Sequence, residues 1–437
     1  MLDFGETQET AYVLADRERV TETVAPWPKS TLGKHADLLT GYAFESESYS
    51  SKPDAIRLLR GDNVMPQQIR WDNAKKWDEA AGPSLSRYAL RAGDTVVAMD
   101  RTWISAGAKV AQVKAKDLPS LLVQRVARLR ARETLDQNYM YQLLSGHGFE
   151  HYVRSAKTET AVPHISPHQV RAFPILLPPL EEQRRIAEIF RAWDEAIELT
   201  EEHIYGLQTR RNWLRLEVLT GRVRMGNHAE PWSRTRLGGV LREHKKRSSG
   251  SEEVFSVSVH KGLVNQEEHL GRSFAAANTD RYNLVHTGDI VYTKSPTGNF
   301  PLGIIKRSSA PSTVIVSPLY GVFTPQNPDV GVILDAYFES PLTVQNYLRP
   351  LVQKGAKNTI AITNQAFLSG HLDLPSSPAE QRDLAGLLTR SREEIAAVER
   401  KAELLRIQKR GLMQKLLTGQ IRVDIAAETR MRGHEHD

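Results

Sequence analysis

One stretch of the chain occurs twice, and everything else is arranged around it. The segment from Glu182-Gln183 to Leu219-Thr220-Gly221 returns from Glu380-Gln381 to Leu417-Thr418-Gly419, every landmark offset by 198 residues without a gap. In the first copy Ile186, Phe190, Trp193, Ile197, Thr200, Ile204, Leu207, Arg211, Leu214 and Val218 step by alternating fours and threes. This is the apolar stripe of a helix that packs lengthwise on another helix. The second copy places Leu384, Leu388, Ser391, Ile395, Val398, Ala402, Leu405, Lys409, Leu412 and Leu416 at the same ten steps. A basic residue interrupts both stripes at one slot, Arg211 and Lys409. Two long helices are predicted, each the natural partner of the other.

The segments before each helix share a frame as well. Pro26-Trp27 and Leu32-Gly33 are echoed by Pro231-Trp232 and Leu237-Gly238, offset by 205; Gly93-Asp94-Thr95-Val96 is echoed by Gly288-Asp289-Ile290-Val291, offset by 195. The offsets drift because the insertions differ, so the chain reads as a tandem duplication of "domain, then helix". Short β-branched runs bounded by Gly, Pro, Ser or Asp predict strands at 96–99, 254–259, 290–292, 303–305 and 314–316, while 118–130 fits strand or helix. The fold class expected is mixed α/β. The division is an N-terminal extension at 1–25, domains at 26–177 and 225–374, helices at 178–224 and 375–424, and a tail at 425–437. Prolines mark the entry to each helix and Gly221 or Gly419 its end.

A helix of about 38 residues is roughly 57 Å long. The second domain begins where one helix ends and finishes where the other begins. A domain of about 150 residues, with a radius of gyration near 15 Å, does not bridge a helix length comfortably. An antiparallel pair puts those two points side by side, so antiparallel packing about a pseudo-twofold axis is expected.

Charge points to a polyanion. Residues 26–177 hold 21 Lys and Arg against 15 Asp and Glu, and residues 226–374 hold 15 against 12, whereas the first 25 residues are acidic. Two similar basic modules on a spacer of fixed length suit two short DNA words with an unread gap between them. There is no cysteine, which removes disulfides and thiolate chemistry. No signal peptide or membrane-spanning run is read, and the expected location is the cytoplasm. Catalytic motifs are missing too. Leu177-Pro178-Pro179-Leu180 and Asn327-Pro328-Asp329-Val330 lack the polar-Pro-Pro-aromatic order of an amino-methyltransferase, and no P-loop occurs. His147 with His151, and His164 with His168, have the spacing of helical metal ligands, but Gly148 and Pro167 argue against helices there, so no metal site is expected.

The residues resemble a known family. The Pro-Trp and Leu-Gly openings, Gly41-Tyr42-Ala43-Phe44 with Tyr49, the run Ile56-Arg57-Leu58-Leu59-Arg60-Gly61-Asp62-Asn63, Val162-Pro163-His164-Ile165, and the Pro-Pro-Leu-Glu-Glu-Gln and Leu-Leu-Thr-Gly ends of the helices look like the specificity subunit of type I restriction-modification systems, from Pro26 to Val423. The resemblance implies two target recognition domains, each on one half of a bipartite site in double-stranded DNA, with helices that fix the gap. It implies as partners two methyltransferase subunits and up to two restriction/translocase subunits. S-adenosylmethionine, ATP and Mg²⁺ would belong to those partners and no cofactor to this chain. The second half departs from the pattern, with Thr359-Ile360-Ala361-Ile362 in place of Val162-Pro163-His164-Ile165.

Base reading favours Arg for guanine and Asn or Gln for adenine, while phosphate contacts need Lys and Arg. The candidates in the first domain are Tyr42, Phe44, Tyr49, Arg57, Arg60, Asn63, Arg101, Thr102, Trp103 and Lys109. In the second they are Lys294, Ser295, Thr297 and Asn299 on the corresponding loop, and Lys354, Lys357 and Asn358. Tyr205 and Trp213 lie off the helix stripe and are candidates for partner binding. Two rival readings stay open: a free-standing bivalent DNA-binding protein, and a coiled-coil adaptor for other proteins.

Overall fold

The computed structural model describes residues 26–78, 85–155, 164–224, 226–228, 230–259, 261–267, 279–354 and 360–423. The chain divides into two units. One holds the residues up to Thr200 together with those from Lys401 on; the other is Glu201–Arg400. The fold is mixed α/β, and both long helices are continuous, Leu180–Leu219 and Pro378–Leu417, each of 40 residues.

The first unit is built on a four-stranded antiparallel sheet, in the order β3 (Val110–Gln112), β2 (Thr95–Ala98), β4 (Val126–Ala131), β1 (Ala36–Thr40). Beside it a three-stranded sheet joins Ser120–Leu122, Ile56–Leu59 and Lys76–Trp77, the first pair parallel. The ambiguous stretch 118–130 thus resolves into two strands, and the turn between them is too tight for a helix. The second unit repeats the main sheet in the same order, β7 (Ile305–Arg307), β6 (Ile290–Tyr292), β8 (Gly321–Pro325), β5 (Leu241–Glu243). The predicted strand at 303–305 starts at Ile305 instead.

The shared Gly-Asp turn explains why the central strand starts where it does in both. Gly93 and Gly288 have φ of +90° and +91°, a region that glycine enters without strain. The carboxylates of Asp94 and Asp289 then accept from the backbone N–H three residues earlier, Arg91 at 2.8 Å and His286 at 2.7 Å. Each domain closes by pairing its first strand with its last, Lys29–Thr31 with Pro174–Leu176 and Ser233–Arg236 with His371–Leu374.

The helix stripes complete these cores. In the first unit Ile186 and Phe190 are fully buried with Met413 and Leu416 among Tyr139, Met140 and Phe149. Burying a side chain such as Phe190 contributes about 2–3 kcal/mol. Trp193, Ile197, Thr200, Leu405 and Leu412 are half-buried and Ala402 buried. In the second unit Val218, Leu384 and Leu388 pack among Ile333, Leu334, Phe338 and Val344. There Leu207 and Ile395 are buried, and Ile204, Leu214 and Val398 half-buried. Within each unit the helix segments run antiparallel. Asp194 meets Lys409 while Glu182 meets Arg422, and Arg210 meets Glu394 while Arg224 meets Glu380. Among the described residues no helix is long and apolar enough to cross a membrane.

Candidate nucleic-acid interface

One edge of the first sheet gathers polar side chains. Strand β2 runs into Met99 and Asp100, whose neighbour across the edge is the turn before β4: the Met99 N–H donates to the Arg125 carbonyl at 2.9 Å. Asp100 binds Arg125 Nη1 at 2.7 Å and His164 Nδ1 at 2.5 Å. Burial works against the Asp100 charge, but the His164 and Arg125 hydrogen bonds outweigh it and hold the carboxyl below its usual value. Arg101 follows, exposed, and the Trp103 ring lies under the Arg154 guanidinium at 4.2 Å. Side chains of these types can bind phosphates and read base edges, and here they stand together at the end of a sheet.

The structure places the other candidates unevenly. Phe44 is 6% exposed and packs edge-on against Trp77 and Tyr42, so its role is corrected to core. Tyr42 and Tyr49 are half-buried on the same cluster. Asn63 is also corrected: buried, it accepts from the Arg60 N–H and donates to the Arg70 carbonyl, bracing a turn. Thr102 is fully buried, its hydroxyl on the Met99 carbonyl. Lys109 is buried as well, its Nζ spent on the Gly61 carbonyl at 2.5 Å, and burial lowers its pKa. None of these four presents a face to a duplex. Arg57 lies over Trp71 at 4.5 Å and donates to the Lys116 and Leu118 carbonyls, while Arg60 pairs with Asp62.

In the second unit Lys294, Ser295, Thr297 and Asn299 are all exposed on the loop after β6. Mutual backbone hydrogen bonds between Thr297 and Phe300 pin that loop. Partial burial lowers the Lys294 pKa against a weaker pull from Glu243. Lys354 ends a short strand, and Lys357 and Asn358 lie outside the described residues. Tyr205 and Trp213 are 73% and 59% exposed.

The first histidine pair needs a correction. Residues His147–Ser155 are a helix despite Gly148, and the His147 and His151 rings stand 6.3 Å apart. In the second pair, helix Pro167–Ala172 starts on Pro167, where a missing N–H costs nothing, so His168 is helical but His164 lies outside the helix and the two do not share one. Among the described residues no group of three or more His, Cys, Asp or Glu is placed to hold a metal.

Sequence reasoning missed what the repeated Glu-Gln and Pro-Trp landmarks do. Glu182, buried at the start of the first long helix, takes the Trp27 indole N–H at 3.1 Å and both arms of Arg422 at 2.7 and 2.8 Å. In the second unit Glu380 takes Trp232 at 3.1 Å and Arg224 at 2.7 and 2.6 Å. The next residue completes each clamp: Gln183 accepts from the Asp136 N–H and Gln381 from the Asn327 side chain. A signal was available, since Arg224 and Arg422 also repeat at 198.

Comparison with known proteins agrees with this geometry. The family model for the type I restriction modification DNA specificity domain matches residues 83–208. The EcoAI specificity subunit of a type I restriction enzyme from Escherichia coli is 31% identical over 199 residues, 45% of this chain and 32% of that protein. The MjaVIII specificity subunit from Methanocaldococcus jannaschii is 26% identical over 212 residues, 48% of this chain and 49% of the relative. The matches thus span a third to a half of the length of these relatives. Among solved structures, the S subunit of a type I restriction-modification system from M. genitalium covers 92% of the chain and is itself covered to 98%, with a TM-score of 0.54 at 13% identity. A structure described as the basis of complex assembly and conformational transition of the type I system covers 91%, and is covered to 99%, at a TM-score of 0.51 and 16% identity. A specificity-domain model thus matches residues 83–208, and the fold over nine-tenths of the chain is similar to that of a solved type I S subunit.

Proposed function

We propose that this chain is the DNA sequence-recognition subunit of a type I restriction-modification complex. It binds a bipartite, asymmetric site through its two domains and directs methyltransferase and restriction subunits there. The observation that carries this reading is the repeated sheet with different loop chemistry. The loop after β2 offers Asp100, Arg101 and, beside it, Arg125 and His164; the loop after β6 offers Lys294, Ser295, Thr297 and Asn299. Equal frames with unequal side chains suit two unlike words. The chain contributes recognition and no catalysis, so S-adenosylmethionine, ATP and Mg²⁺ belong to two methyltransferase and up to two restriction/translocase partners. The exposed Tyr205 and Trp213 belong to the surface those partners meet, and the complex works in the cytoplasm, on the DNA.

The test is methylome sequencing of a host without such systems that is given this chain and its methyltransferase partner. A two-part motif with an unread gap, absent when either protein is omitted, supports the reading. Tight, sequence-specific binding by the chain alone with no new methylation favours the free-standing DNA binder. The spacer role has its own check: one heptad inserted in register into both helices adds about 10 Å and widens the gap while leaving the words unchanged.

A further inference from the structure

Three described residues other than glycine have backbones in the left-handed region: Gln67 at φ +62°, Arg101 at +46° and Arg125 at +66°. All three are exposed. They also sit on one sheet edge in the first unit. The Gln67 N–H donates to the Val110 carbonyl, at the start of β3. Arg101 follows the end of β2, and its neighbour Thr102 accepts from the Lys109 N–H. Arg125 precedes β4 and accepts from Met99. The three strands are adjacent, in the order β3, β2, β4. Neighbouring strands lie about 4.8 Å apart, so the row is on the order of 10 Å long, three base-pair steps of about 3.4 Å.

The residue types matter because the conformation does not explain them. A loop needing positive φ takes glycine or asparagine at least strain, and a longer side chain there is kept for what it does. These three are the side chains that form paired hydrogen bonds with guanine and adenine. Asp100 occupies one Arg125 donor and is held in turn by His164, while the Arg125 side chain stays 63% exposed with further N–H donors to offer. Among the described residues the Gln67 and Arg101 side chains have no hydrogen-bond partner, so both are available to a ligand.

We infer that Gln67, Arg101 and Arg125 are the base-reading row of the first domain, with Arg125 and Arg101 specifying guanine and Gln67 adenine in one word of the site. This rests on the specificity-subunit reading. The same chemistry is not repeated in the second unit, where Leu319 is exposed on the turn matching Arg125. The row therefore belongs to one word only.

Arg125→Gly and Gln67→Gly are the informative variants, because glycine accepts these φ values and the fold is spared. Each is expressed with the methyltransferase partner, the methylated motif is sequenced, and the melting temperature of the purified chain is recorded. Arg125→Gly is expected to relax one guanine in one word, with discrimination at that position falling about tenfold or more, and Gln67→Gly one adenine in the same word. The other word and the gap stay as they were. A wild-type motif lacking guanine in that word overturns the assignment, as does a variant motif identical to wild type. Weaker methylation at every position alike, or a lower melting temperature with intact discrimination, assigns these residues to phosphate contact or structure and also overturns it. If the wild-type pair yields no two-part motif, the specificity-subunit reading fails and the assignment with it.

Discussion

The two units make the same joint between domain and long helices with the anion on opposite sides, on the helix in the first and on the domain in the second. In the first, Lys409 is buried and donates to Asp194 at 2.5 Å, and Gln142 of the domain donates to the same carboxylate at 3.2 Å. In the second, Arg211 fills the slot of Lys409, but the position of Asp194 is held by a second cation, Arg392. The anions come from the domain instead: Asp335 and Glu339 bind Arg392, and Glu339 also binds Arg211 at 2.8 Å. Burial works against the Glu339 charge, yet the two arginines hold its carboxyl below the usual value. Each domain has thus diverged together with the helix ends it rests on. A frame can be kept while its electrostatics invert, provided both sides of the contact change together.

The hardest test of that matching is Asp194→Arg, which gives the first unit the helix residue of the second. With Gln142 where an acid is needed, Lys409 and the new arginine face each other unpaired, and a loss of about 3–5 kcal/mol is expected in urea denaturation. Adding Gln142→Asp should recover part of it; no recovery would break the comparison. The clamps should show the opposite, equality. Glu182→Gln and Glu380→Gln each remove a buried carboxylate from an arginine and an indole, at about 2 kcal/mol apiece. Two clearly unequal losses would show that the clamps are not equivalent. Glu380 adds a pH signature. Burial raises its pKa, but Arg224 and Trp232 bring it below the ordinary 4.5. Its contribution is complete at neutral pH and disappears as acid titration passes the lowered value, a step that Glu380→Gln should abolish.

Smaller losses, about 1–2 kcal/mol, are expected for Asp94→Asn and Asp289→Asn. Both braces survive in part, since the turn glycines remain, and the contrast lies in the partner: Arg130 for Asp94, His244 and Thr324 for Asp289. The smallest effect on stability is predicted for Tyr205→Ala with Trp213→Ala, within about 0.5 kcal/mol. Their counterparts at offset 198 are Glu403 and Gly411, so the outer faces of the helices are unlike. Pull-down of the methyltransferase subunit should nevertheless weaken about tenfold or more. Undiminished capture would remove these residues from the partner surface.

Much of the frame was legible because it rests on local pattern. The stripe from Ile186 to Val218 repeats at steps of three and four residues, and the turn at Gly93-Asp94 is written in adjacent ones. Contacts made at long range were not. Glu182 finds Trp27 and Arg422 at separations of 155 and 240 residues, and nothing near Glu182 names either partner. The aromatic loop around Phe44 misled for the same reason, since its cover, Trp77, arrives from another strand. Lys109 was chosen for its charge, although the Gly61 carbonyl takes its proton donor indoors. Gln67 and Arg125 escaped notice because a left-handed backbone without glycine has no signature in the residue string.

The clamp on Glu182 also carries a genetic consequence. The second unit is one continuous run of the chain, whereas the first is interrupted and ends with residues from Lys401 on. At about 5–20 residues per second, a ribosome needs roughly 12–48 seconds to go from Glu182 to Arg422. Through that interval the first domain lacks the apolar cover of Met413 and Leu416 and the cation for its buried carboxylate. The domain made first is therefore finished last, and a stop codon just upstream of Lys409 should cripple the domain translated earlier while sparing the one translated after it.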